Sequence, residues 1–136
     1  MNNNNVSFIR ITNEALVELK MFYNLIEKQD SNNPCLSYSS CYEESHPNKE
    51  YSCKIECDYI SVGDWGKERP HDVVKINIDS MEFYVYPDLK DQLCRSTIDL
   101  LRIFTSDGKY KVTKFILQNS THINTSLIEK NGSTKR

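Results

Sequence analysis

No stretch of the chain approaches the roughly 18 consecutive apolar residues that a membrane span requires. The amino terminus, MNNNNVSFIRI, also lacks the basic segment and long apolar run of a secretory signal. Glycine is scarce, at four among 136 residues, and no glycine-rich phosphate cradle can be drawn. An excess of one charge is missing too: 17 Lys and Arg stand against 19 Asp and Glu, a formal net charge of -2. That balance excludes a non-specific nucleic-acid binder. His46, His71 and His122 stand in no spacing that suggests a triad with Ser and Asp, and no pair of carboxylates is set up for acid–base work. The absences lead to a cytoplasmic protein that is not an enzyme and has neither a membrane nor a nucleic acid as partner.

What is present fits one domain, because a chain of this length buries roughly two-thirds of its unfolded surface without needing a metal or a disulfide. Residues 1–5 are a disordered asparagine tract and 118–136 a polar, flexible tail, which leaves 6–117 as a single α+β domain. Within it a short strand at 6–11 leads into ITNEALVELKMFYNLIEK, where Ala15, Leu16, Leu19, Phe22, Tyr23 and Ile26 recur at helical spacing. SNNP stops that helix, and CLSYSSCYEESHPNKE reads as turn-rich, with at most a short strand at its start. YSCKIECDYISV alternates strictly and predicts a strand with one wet face. Val74, Ile76 and Ile78 alternate up to Asp79-Ser80, and Met81, Phe83 and Val85 alternate back, which predicts a hairpin. Pro87 and Asp88 open a short second helix, and Ser106-Asp107-Gly108 marks a second hairpin. The expected architecture is a small mixed or antiparallel β-sheet with one N-terminal amphipathic helix and a short second helix.

Five cysteines in a chain without a secretory signal are expected as thiols. Cys53 and Cys57 share one strand face about 13 Å apart, too far to ligate one ion, and read first as small residues on a buried face. Cys35, Cys41 and His46 form the one group of soft ligands in a polar setting. They are the candidate metal site, although their spacing is not a recognised zinc pattern. Cys94 near Arg95 is a lone helical thiol with no base beside it. Lys109, Lys111 and Lys114 read as a solvated strand face. Trp65, inside Gly63-Asp64-Trp65-Gly66, either caps the core or marks an interaction surface together with Tyr38, Tyr42, Tyr51 and Tyr59.

ITNEALVELKMFYNLIEK and DVVKINIDSMEFYVYPDLKDQLCRSTIDL resemble the opening helix and the central signature of the HesB-like, A-type iron–sulfur carrier family. Asp72-Val73-Val74, Phe83 to Leu89 and Thr97-Ile98-Asp99 fill the signature positions. The resemblance implies a HesB-like fold, an iron–sulfur cluster or iron as cofactor, and an apo-protein acceptor as partner, often with a homodimer as the working state. Cys41, Cys53 and Cys57 would be the cluster thiolates it implies. The family's Cys-x-Cys pair near the C-terminus is absent, and no cysteine of the middle region adjoins a glycine. The alternative is a non-catalytic interaction or regulatory module on a HesB-like or other small α+β fold without a cluster.

Overall fold

The computed structural model describes residues 9–29, 33–45, 51–105, 108, 111–118 and 124–129. The asparagine tract, His46, His122, Lys109 and the Ser106-Asp107 turn lie outside them. In chain order the elements are β1 (Arg10–Ile11), α1 (Asn13–Glu27), β2 (Pro34–Ser45), β3 (Tyr51–Asp64), β4 (Val74–Ile78), β5 (Met81–Val85), α2 (Pro87–Cys94), β6 (Thr97–Phe104), β7 (Lys111–Gln118) and β8 (Asn124–Glu129).

All eight strands join one sheet in the order β1-β6-β7-β3-β2-β5-β4, with β8 on β3. The β1–β6 and β2–β5 pairs are parallel and the rest antiparallel. This corrects the expected small HesB-like sheet with one N-terminal amphipathic helix and a short second helix: among the described residues strands hold 55% against 24% helix, and the sheet curls into a half-barrel.

Two segments account for the difference. The stretch read as turn-rich is the twelve-residue strand β2, paired along its length with β3. Its register shifts between Ser39 and Cys41. A bulge there reverses which alternate residues point inward and so erases the two-residue period. Within the span read as a tail, Asn124–Glu129 forms β8 against Tyr51–Glu56 of β3.

Each face of the sheet carries its own core. On the helix side, Ala15 and Leu19 of α1 meet Leu36, Ile60, Phe83, Val85, Leu93, Ile98, Phe115 and Leu117. On the opposite side, Cys53, Ile55, Cys57 and Tyr59 of β3 pack on Val112 and Ile116 of β7. Consecutive residues Tyr59 and Ile60 are thus both buried, one in each core.

Asp99 ties α1 to the sheet. Thr12 caps the helix by accepting from the Ala15 N–H at 3.3 Å, while its hydroxyl donates to Asp99 Oδ1 at 2.9 Å. The same carboxylate accepts from the Leu100 N–H at 2.8 Å and from Gln118 Nε2 at 2.6 Å. A second link lies at the far end of α1. β2 begins only at Pro34, so the Glu82 N–H finds the Tyr23 hydroxyl at 3.3 Å instead of a strand neighbour. Replacing Asp99 by Ala removes the acceptor common to α1, β6 and β7. Thermal or urea unfolding is expected to show a loss of about 1 to 3 kcal/mol.

Candidate functional site

The sheet keeps the predicted thiols apart. Cys41 pairs across the ribbon with Glu56, and Cys53 with Glu44. Cross-strand partners share a face, so Cys41 lies exposed beside Glu43, Lys54 and Glu56, while Cys53 and Cys57 are buried in the core on the other side. Cys35 is buried at the start of β2, opposite Gly63, and Cys94 ends α2. His46, the third member of the candidate metal group, lies outside the described residues. Among the described residues no three His, Cys, Asp or Glu side chains converge on a common point. Cys41, Cys53 and Cys57 of one chain therefore do not fit a shared cluster.

Lys114 departs from the solvated strand face expected for it. It sits on the same side of β7 as Val112 and Ile116, with its ammonium 3.9 Å from the Tyr42 ring centre and 5.3 Å from that of Tyr59. Burial pushes its pKa down, and the carboxylate of Glu44 partly offsets this. Tyr42 donates its hydroxyl to Glu44 Oε1 at 2.6 Å. The aromatic pair lets a cation stand at the rim of an apolar core.

The geometry most suited to binding lies around Tyr84. Phe83 and Val85 point into the helix-side core, so by strand alternation Tyr84 points to the opposite face. There it borders an open cleft of about 560 Å³ formed with Glu68, Arg69, Pro70, His71 and Val73. A smaller hollow of about 230 Å³, reaching to Tyr23, Glu27, Lys75 and Glu82, also touches Tyr84.

Arg69 is held in place twice. Its guanidinium lies 4.2 Å above the Tyr84 ring centre, and Nη1 donates to Asn33 Oδ1 at 3.1 Å. Asn33 is buried, and its amide donates to the Gly66 carbonyl at 2.6 Å, while its own carbonyl accepts from the Trp65 N–H at 3.0 Å. The turn itself depends on Asp64, whose Oδ1 accepts from the Gly66 N–H at 2.9 Å, and on Gly66, whose φ of 80° suits glycine. Trp65 is half-buried, edge-on to Tyr86 with ring centres 6.0 Å apart. It braces the loop after β3 against Tyr86, the N-cap residue of α2, which is itself exposed.

Of the residues singled out in the sequence, His71 lines this cleft and Trp65 lies in the loop that leads to it. Arg69, Tyr84 and Asn33 had no spacing signal, since Asn33 and Arg69 lie 36 residues apart. A basic side chain in a loop followed by an aromatic on the wet side of a hairpin was the one hint available.

No protein-family model, no curated protein and no solved structure matches the chain.

Beneath the loop, burial and the nearby Asp64 carboxylate push the Cys35 thiol from 9.0 up to about 11. Folding therefore favours the protonated thiol. That contribution is fully present below pH 9 and is lost as the pH rises through about 11. Urea titrations at successive pH values are expected to show stability falling across this window, with a shallower fall in Cys35→Ala.

Proposed function

We propose that the protein is a non-catalytic interaction module of a reducing, cytoplasmic setting, and that it binds an acidic peptide segment of a partner protein in the Tyr84 cleft. The observation that carries this reading is the fixed guanidinium of Arg69. A guanidinium has five N–H donors in a planar fork that matches a carboxylate. Stacking on Tyr84 and the bond to Asn33 orient that fork before any partner arrives, so little side-chain entropy is lost on binding. Lys75, 3.6 Å from Glu82, also stands over the Tyr84 ring, Glu68 is the acidic member of the lining, and Pro70, Val73 and Tyr84 supply apolar wall. Five free thiols suit a compartment that keeps cysteine reduced.

Selection from a displayed peptide library is the direct test. Acidic sequences are expected to be enriched, with binding followed through the fluorescence of Trp65. Arg69→Ala and Tyr84→Ala should each weaken the selected peptides about tenfold or more. No enrichment, or peptides indifferent to Arg69→Ala, sinks the reading.

An iron–sulfur carrier needs thiolates about 2.3 Å from a common metal, and the sheet stands between exposed Cys41 and the buried pair Cys53 and Cys57. Anaerobic reconstitution with iron and sulfide is expected to leave the protein colourless. A stable brown product that disappears in Cys41→Ala or Cys53→Ala would restore the carrier reading.

A further inference from the structure

Helix α1 is apolar on two sides. Ala15, Leu19 and Ile26 are buried against the sheet, yet Val17, Met21 and Leu25 are 62%, 56% and 57% exposed. These three recur every four residues and form a single ridge along the outward side of the helix. Phe22, 40% exposed and edge-on to Phe115, joins the ridge to the core. Phe104 is 58% exposed and lies two residues beyond Arg102 on the side of β6 that faces α1. A surface helix of a monomer places polar residues where this ridge stands.

The order of residues along the ridge indicates what covers it. Val17 and Leu25 lie four residues before and after Met21, and Glu14 and Lys28 lie seven before and after it. At 100° per residue all five fall on the outward side. Laid antiparallel on a second copy with the two-fold axis at Met21, each Val17 meets the other chain's Leu25. Each Glu14 then meets the other chain's Lys28. An isologous interface requires such self-complementarity. The parallel arrangement would instead set Glu14 on Glu14 and Lys28 on Lys28. Antiparallel packing also sets the positive end of each helix dipole beside the negative end of the other. Arg102, 3.6 Å from Glu14 and 3.9 Å from Glu18, leaves two carboxylates to one guanidinium at the helix start, so that end stays acidic.

We propose that the protein forms a homodimer through the outward side of α1, antiparallel and centred on Met21. None of Val17, Met21 and Leu25 lines the larger Tyr84 cleft, while the smaller hollow beside Tyr84 reaches Tyr23 and Glu27 of the same helix. Sedimentation velocity of the full chain across the micromolar range tests it. The expected result is a concentration-dependent monomer–dimer equilibrium that Met21→Glu abolishes, with no lowering of the melting temperature at concentrations where the parent chain is monomeric, because Met21 is exposed in the monomer. Lys28→Glu places like charges opposite each other twice and is expected to weaken the dimer about tenfold. Glu14→Lys added to it is expected to restore association.

A protein that stays monomeric at every concentration overturns the proposal, and so does a dimer indifferent to Met21→Glu. Failure of the double variant to recover association overturns the antiparallel register. A monomer destabilised by Met21→Glu shows that another part of the same chain covers the ridge, which overturns it as well.

Discussion

Strand β3 is buried on one face along its first half and on the opposite face along its second, and the rest of the fold follows from the need to cover both. Its first half turns Cys53, Ile55, Cys57 and Tyr59 to one side, and its second half turns Ile60 and Val62 to the other. A single layer of strands cannot bury both sets. The helices cover one, and the curl of the sheet, bringing β6 and β7 over β3, covers the other. Three strands hydrogen-bond to β3: β2 along one edge, β7 and then β8 along the other. The bulge after Ser39 belongs to the same solution. It lets β2 put Leu36 into the helix-side core and Tyr42 against the opposite one, which no regular strand could do with residues six apart.

Lys114 shows what the second core tolerates. An ammonium so close to hydrocarbon is costly unless something replaces part of its hydration. The rings of Tyr42 and Tyr59 offer their negative faces, and Glu44 supplies opposite charge at the rim. The bulge is again the cause, since it sets Tyr42 and Glu44 on the side of β2 where β7 presents the lysine. A cation held in this way reads as a structural device of the sheet. The guanidinium of Arg69 is a different case, because it stands at an open cleft.

Legibility in the sequence followed the persistence of period. The α1 helix, the β4–β5 hairpin and the buried side of Cys53 and Cys57 could be read because apolar residues recur without interruption. β2 could not, because the bulge breaks its alternation and Ser, Tyr and Glu fill the wet positions. β8 could not either: NTSLIE carries little apolar signal, and backbone pairing with β3 holds it in the sheet. The site was the least legible part. Asn33, Arg69 and Tyr84 meet only because Asn33 precedes β2, β2 lies beside β5, and the loop after β3 folds back over both. The HesB-like signature fell largely on the helix, the hairpin and the Asp99 anchor. These elements build a scaffold, so a likeness there carries no information about where the sulfurs go.

The larger cleft and the α1 ridge share no residue. The cleft opens on the face toward which Tyr84 points, and the α1 ridge stands outside the face lined by Phe83 and Val85. The two-fold joint proposed through α1 uses none of the residues that line the larger cleft. Binding one segment of a partner then holds a second copy near any second acidic segment, at an effective concentration set by the tether between the segments. One guanidinium in an open cleft gives only modest affinity, since a charge-assisted hydrogen bond contributes a few kcal/mol at most. Doubling the cleft by symmetry raises avidity without any new contact. Under the two proposals, the carboxylate site and the self-pairing helix form one arrangement, in which dimerisation supplies the strength that a single cleft lacks.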